Sequence, residues 1–415
     1  MEFDGVQTPA ARAPIPEQLQ AHGRLFEARF GPAGGSQSTQ GGAAEAPRLF
    51  FAPGRVNLFG AHLDYNGGPV MPTAIDRGTF FAVRPRSDSR VVVASTLSDD
   101  DLDVDLKDLP DSKRDRWYDY TLGVLLDVVG QSGNGHGGLD VLLGGNLAIG
   151  AGLSSSASIC VGTALMLDTV WGLGLGGMQH VDIALRAERE FVGVQCGIMD
   201  PFAVGLAKPQ HLLWLDCKDR SWVHLPLDFS RVSIGVADTG VRRKLAQGEF
   251  NTRVAQCATA FEGLRITDPG AECLRDISIE HFESHRGELD PTVALRAEHV
   301  VYEVRRAFEA RAALERGDLD TMGSLMTQAH ESMRDLYEVS CVELDELVNA
   351  AVDGEGVYGS RLTGAGFGGC TVMLIRRGDE RSVCERVSRR FEARFGRTPA
   401  IEIYGGDHGP REIEI

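Results

Sequence analysis

What this sequence lacks narrows its reading quickly. None of its eight cysteines forms a C-x-x-C pair; they stand apart at Cys160, Cys196, Cys217, Cys257, Cys273, Cys341, Cys370 and Cys384. Dispersed thiols in a long chain read as reduced and mostly buried, which argues against a disulfide scaffold and against cysteine-based metal binding. No stretch of about 18 apolar residues occurs, so no membrane-spanning helix is expected. The opening MEFDGVQTPAARAPIPEQLQ has no basic start followed by an apolar run, so no secretory signal is expected and the reading is cytoplasmic. Basic residues are scarce: 42 Lys and Arg against 59 Asp and Glu give a net charge of −17. Such a surface repels nucleic acid and anionic membrane. An anionic small molecule would need a local site of backbone amides, helix N-termini and a few arginines. There is also no G-x-x-x-x-G-K-[ST], so a Walker-type phosphate loop is absent.

What is present is ordinary globular composition, 43% apolar and 24% charged over 415 residues, enough for two or three domains with large cores. Residues 16–30 read as an amphipathic helix with Leu19, Phe26 and Phe30 on one side, followed by a Gly/Ser/Ala-rich flexible insert at 31–46. RLFFAP, TFFAVRP, RVVVAST, GLDVLLGG, HLLWLDC, SWVHLPLD and RVSIGVADTG read as strands; 117–130, the segment after Ser154, HVDIALRAEREFVGV and three stretches between 291 and 352 read as helices. Ser340 with Glu343 has the spacing of a capping box. Hairpin-like strands early and helices late predict α+β layers rather than a doubly wound parallel sheet. No internal repeat is visible.

Three stretches carry chemistry. GRVNLFGAHLDYNGG, Gly54 to Gly68, packs an arginine, an asparagine, a histidine and an aspartate among glycines. GAGLSSSAS, Gly150 to Ser158, puts glycines that permit close backbone approach before serines that open an apolar helix. The free N–H groups and dipole of such a helix start make an anion site, and serine hydroxyls there can meet Mg²⁺. A plain strand-to-helix turn with a serine cap has the same composition. GAGFGG, Gly364 to Gly369, is a second glycine loop ahead of an apolar strand; a tight turn explains it equally well.

Taken in order, these motifs resemble the galactokinase family of the GHMP small-molecule kinases. GRVNLFGAHLDYNGG is similar to the family's G-R-x-N-L-I-G-E-H-x-D-Y signature, GAGLSSSAS to its ATP loop and GSRLTGAGFGGC to its third motif. AEREFVGVQCGIMD, VRRKLAQGEFNTRVAQC and HESMRDLYEVSCVELDELV extend the likeness from about Phe26 to beyond the last loop. The resemblance implies a two-lobed GHMP kinase fold, with a ribosomal S5 domain 2-like N-terminal lobe, a ferredoxin-like C-terminal lobe and the active site between them. It implies boundaries near 1–47 for the helix and insert, 48–215 for the N-terminal lobe and 216–415 for the C-terminal lobe. It further implies phosphoryl transfer from ATP, with Mg²⁺, to the anomeric hydroxyl of a sugar, in a monomer or weak homo-oligomer.

Carried over residue by residue, Arg55 and Asp200 match the catalytic pair. His62, Asp64 and Gly197 match sugar contacts, Ser156 and Glu188 match Mg²⁺ contacts, and Gly150, Gly152, Leu153, Ser154, Ser155, Ser156, Gly364 and Gly366 match the ATP loops. An aspartate beside arginine is a weak ground-state base. Asp200 is therefore expected to orient the sugar hydroxyl and accept its proton late, as the bond to phosphorus forms.

The chain departs from the family at Ala61, where glutamate is usual. That glutamate is understood to accept a hydrogen bond from the sugar C6 hydroxyl. Alanine removes the acceptor and its charge, and both changes favour a sugar whose C6 is a carboxylate; D-galacturonate is the preferred expectation. Plain galactose, L-arabinose, or a non-catalytic sugar and ATP sensor are the alternatives. Phe250 replaces a sugar-contacting tyrosine, Pro201 a glutamine and Ala148 a proline. Arg242, Arg243 and Lys244 lie near a segment resembling a sugar-contacting one, as possible partners for a carboxylate.

Overall fold

The computed structural model describes residues 13–32, 45–133, 135–147, 152–194, 196–242 and 246–414. The expected flexible insert falls mostly outside them, as do Ala148, Gly150, Arg243 and Lys244.

A six-stranded sheet runs in the order Arg411–Glu412, Arg48–Asn57, Pro72–Pro85, Leu139–Gly145, Arg90–Ser95, Ser98–Asp105. Its pairs are antiparallel except Arg90–Ser95 with Leu139–Gly145. Side chains alternate across a strand, and the two faces separate accordingly. Phe50 and its cross-strand partner Phe81 pack with Leu122, Val161 and Ala164, from the helices Asp119–Ser132 and Ser155–Trp171. Phe51 and its partner Phe80 pack with Leu19 and Phe26 of the Ile15–Phe30 helix. The Ser98–Asp105 strand was not legible beforehand. Its aspartates hide the alternation that buries Leu102 and Val104, and Asp103 is neutralised across the hairpin by Arg90.

A second sheet has the order Val357–Thr363, Cys370–Arg376, Val232–Asp238, Ala400–Tyr404, all antiparallel. Numbered within this half, that is second, third, first, fourth, the ferredoxin-like order, with helices inserted after the first strand and before the last. The α+β, two-lobed expectation therefore holds. Strands Pro69–Val70, His211–Asp216 and Trp222–Pro226 form a small third sheet. The chain end returns to the first sheet through Arg411–Glu412. The Ser340/Glu343 capping box does not form: Ser340 Oγ donates to Asp345 instead. The helices Pro291–Glu315, Leu319–Asp335 and Val342–Val352 are present, and Ala246–Leu264 is an additional one. One apolar cluster runs from Val56, Leu58 and Phe59 through Val300 and Met326 to Val372, so the first motif is seated against the carboxy-terminal half.

Candidate active site

Arg55 lies near the end of the Arg48–Asn57 strand, just past an irregularity in register between Pro53 and Arg55. Gly54 is glycine for want of space: a Cβ there would stand 2.5 Å from Leu147 Cδ2 and 2.7 Å from Leu153 O. That approach lets Arg55 N–H donate to Leu153 O at 3.1 Å. The buried Arg55 guanidinium forks onto Asp200, with Nε 2.8 Å from Oδ1 and Nη2 2.9 Å from Oδ2, while Nη1 donates to Gly152 O at 2.6 Å. Bidentate geometry of this kind fixes both partners. Asp200 opens the short Met199–Gly205 helix. Pro201 is accommodated there because a helix's first turn needs no donor from it.

The serine-rich turn closes on the same aspartate. Ser154 sits in the left-handed region, φ 60 and ψ 50, rare for a side-chain-bearing residue. Its hydroxyl donates to Asp200 Oδ2, so its side chain faces the aspartate. It makes no side-chain cap to the Ser155–Trp171 helix among the described residues, which leaves that helix's first N–H groups free for an anion. Gly152, at φ 71, leads into the turn, Leu153 is buried beneath it, and Ser155 is exposed. Ser156 hydrogen-bonds Glu188, which lies in a π-helical turn, Ala187–Val192. Burial pushes the Glu188 carboxyl up to about 7, against the Ser156 bond, and the nearby Asp200 charge raises it further. A hydroxyl and a carboxylate are hard oxygen donors that suit Mg²⁺, which takes one or two protein ligands and completes its shell with phosphate and water.

On the other side of Asp200, Asp64 begins a 3₁₀ turn. Its carboxyl is pushed up to about 6 by burial and then by the Asp200 charge. Gly197 lies flat against it: a Cβ at 197 would fall 1.6 Å from Asp64 Oδ2. His62, also at positive φ (60), is buried with Nδ1 2.9 Å from Tyr65 Oη, which is 2.7 Å from Tyr337 Oη. Its ring lies 4.8 Å from that of Tyr337 and 5.9 Å from that of Phe250. Burial, then His299 and Arg361, lower its pKa to about 3, so it is neutral. Its Nε2 has no hydrogen-bond partner among the described residues. Ala61 is buried, and its carbonyl accepts from His299 Nε2 at 3.3 Å.

The structure thus brings Arg55, Asp200, Ser154, Gly152, Ser156, Glu188, Asp64 and Gly197 together, with His62, Phe250 and Ala61 alongside. Gly364, at φ 82, follows Thr363, whose hydroxyl lies 3.5 Å from Asn57 O, so the third motif starts beside the first. Gly366 is demanded by packing, since a Cβ would meet Val339 O at 2.3 Å. Arg242 is exposed and engaged bidentately by Asp238 at 2.8 and 2.6 Å, which offsets its charge. Sequence reading missed Tyr65, Tyr337 and His299. Tyr65 lies inside the first motif, but no local pattern marks its pairing with Tyr337, because 272 residues separate the two.

Comparison with known proteins agrees with this arrangement. The galactokinase galactose-binding signature matches residues 38–85, the GHMP kinase N-terminal domain 119–208 and the GHMP kinase C-terminal domain 310–393. The chain is 42% identical over 359 residues to a galactokinase of a Roseiflexus species, covering 86% of this chain and 91% of that one. It is 37% identical over 380 residues to the Bacillus subtilis galactokinase, covering 90% and 96%. Its structure superposes on the crystal structure of Lactococcus lactis galactokinase complexed with galactose with a TM-score of 0.86 at 30% identity, covering 95% and 100% of the chains. Methanococcus jannaschii mevalonate kinase shares the fold, with a TM-score of 0.65 at 17% identity. With an arginine–aspartate couple set beside an open helix start and relatives of this identity spanning nearly its whole length, the chain belongs to the galactokinase family of the GHMP kinases.

Proposed function

We propose that the protein transfers the γ-phosphoryl group of ATP to the anomeric hydroxyl of a galactose-type pyranose. The observation that carries this reading is the bidentate Arg55–Asp200 couple at the uncapped start of the Ser155–Trp171 helix. Phosphoryl transfer passes through a loose transition state, so positioning and charge stabilisation do most of the catalysis. Asp200 orients the sugar hydroxyl and takes its proton as the new P–O bond forms. Arg55 holds Asp200 and offsets the charge gathering on the transferred group. Free N–H groups of the helix start receive the nucleotide phosphates. Ser156 and Glu188 would hold Mg²⁺, which supplies neutralisation of phosphate charge when bound. Asp64 is the acceptor available to sugar hydroxyls, with the buried His62 ring beside it.

D-galactose is the first reading of the sugar, since the relatives named galactokinase match over most of both chains. D-galacturonate is the second, favoured by position 61. Ala61 supplies no carboxylate, and the histidines beside it feel four buried arginines: Arg253 and Arg361 act on His62, and Arg296, Arg306 and Arg361 on His299. A glutamate in place of Ala61 would face a sugar carboxylate at a cost of about 4 kcal/mol for 4 Å and an effective dielectric of 20, roughly a thousandfold in affinity.

An ADP-release assay with galactose, galacturonate, N-acetylgalactosamine and L-arabinose tests both points. Turnover of galactose with little on galacturonate supports the first reading, and the reverse the second. In the second case Ala61→Glu abolishes galacturonate turnover without lowering that of galactose. ATP binding with no turnover of any sugar would overturn the kinase reading and leave a sugar and ATP sensor.

A further inference from the structure

The Arg48–Asn57 strand reaches its last residue with an open carbonyl. Asn57 stands opposite Pro72 as a non-hydrogen-bonded pair, with Leu58 N–H on Met71 O at 3.1 Å, so its carbonyl points away from that strand. The bond comes instead from the carboxy-terminal sheet. Arg361 Nη2 donates to Asn57 O at 2.9 Å, and Thr363 Oγ1 approaches the same oxygen at 3.5 Å. Asn57 is two residues beyond Arg55.

Arg361 is a costly way to fill that place. It is 1% exposed, and its pKa is lowered to about 10 by burial, against the opposing pull of Glu303. Its Nε and Nη1 have no hydrogen-bond partner among the described residues, and the Glu303 carboxylate is 3.8 Å from Nη1. Glu303, itself fully buried, is paired more closely with Arg306 Nε at 2.7 Å. A guanidinium so weakly satisfied recovers little of its desolvation cost. A local rule broken at such a place points to function.

We propose that Arg361 is a positioning residue that latches the first motif to the carboxy-terminal sheet through the Asn57 carbonyl and so holds Arg55 in register with Asp200. The latch gives the third motif a task apart from its glycine loop: Gly364 begins right after Thr363, so the strand that fixes Asn57 also fixes where that loop starts. The inference rests on the kinase reading, because it assumes that Arg55 works at the reacting centre.

The test uses the full-length enzyme with MgATP and D-galactose, or D-galacturonate if that is the sugar turned over. Arg361→Met leaves Glu303 paired with Arg306 but takes the donor from Asn57 O, so the variant is expected to fold with a thermal midpoint several degrees below the parent. Its kcat per folded enzyme should fall about tenfold, as a small misplacement does, with KM for ATP within about twofold. Arg361→Lys, which can still donate to Asn57 O, should recover part of the loss. In an Asp200→Asn background, Arg361→Met should cost less than about twofold more, because both changes remove the same couple. Unchanged kcat in Arg361→Met, or equal losses in both backgrounds, would overturn the latch. If Arg361→Met does not fold, Thr363→Val carries the same test at about threefold. A parent enzyme that turns over no sugar would refute the kinase reading itself. A working parent with an indifferent Arg361→Met would refute only the latch.

Discussion

Asp200 and His62 lie in one site, yet the chain holds them by different means. Asp200 is fixed by charge and by donors from two motifs: two nitrogens of Arg55 and the hydroxyl of Ser154 all point at its carboxylate. His62 is fixed by packing, among the rings of Tyr65, Phe250 and Tyr337, with one hydrogen bond to a tyrosine that is itself bonded to another. The first arrangement suits a reaction in which charge moves, since fixed donors cost no reorganisation when it does. The second suits recognition, since aromatic walls shape a pocket for a neutral ring. A substitution should therefore act on turnover near Asp200 and on sugar affinity near His62.

The sharpest way to break that contrast is at Arg55. Arg55→Ala leaves Asp200 bonded only to Ser154 among the described residues and removes the cation proposed to offset charge on the transferred group. Its kcat should fall about 10³-fold, and Asp200→Asn should fall to a similar level. KM for ATP should change little in either, because the helix-start amides remain. Steady-state rates close to the parent in either variant would remove that residue from the catalytic role.

Gly197 joins the two regions, and its replacement should shift affinity. The Cβ of Gly197→Ala would fall on Asp64 Oδ2, so the carboxylate must move by more than an ångström. A loss of about a hundredfold in kcat/KM for the sugar is expected, with KM for ATP unchanged. A loss confined to kcat at saturating sugar would show that Asp64 serves the chemistry instead.

Much of the Asp200 side was legible in sequence because its parts come as short motifs. Gly54, before Arg55, is forced by close approach to Leu147 and Leu153, and Gly152, before Ser154, by its positive φ. Of the aromatic wall, Phe250 is legible as a sugar-contacting position, but its neighbours Tyr65 and Tyr337 are not. Tyr337 lies on a stretch that reads only as the end of a helix, and nothing local says that its hydroxyl meets Tyr65. Fold class followed from the hairpin-rich first half, while the acid-rich Ser98–Asp105 strand and the Ala246–Leu264 helix needed tertiary context. Ser154 matches a phosphate-loop position, and its side chain donates to Asp200. The sequence showed a serine at a helix start but not the left-handed backbone that turns it.

A pH profile separates the two regions more gently. Burial and the Asp200 charge raise the Asp64 carboxyl to about 6, so its ionised form, the one that accepts sugar hydroxyls, is present above that pH and lost below it. Sugar kcat/KM should fall about fivefold between pH 6 and pH 5, as the ionised fraction of a group titrating at about 6 does. In Asp64→Asn that limb should disappear from a lower plateau. A limb that persists unchanged in Asp64→Asn would assign it to another group.

The smallest effect is expected at Phe250, where the wall lacks a hydroxyl. Its ring lies 5.4 Å from that of Tyr65 and 5.9 Å from that of His62, edge-on to the first and tilted to the second. Phe250→Tyr adds one polar group to a half-buried position and leaves the packing of the ring as it is. A new neutral hydrogen bond contributes about 1 kcal/mol net, roughly fivefold. If D-galactose is the sugar, the variant should lower its KM by that factor or less and leave kcat alone. If a carboxylate-bearing sugar is preferred, the hydroxyl could still donate to it, and the gain should be larger for D-galacturonate than for D-galactose. Comparing the two KM ratios in one preparation reads the chemistry of the pocket wall without disturbing Arg55 or Asp200. A change in kcat instead would mean that Phe250 reaches the reacting end of the site, and that the division between a charged half and an aromatic half is wrong.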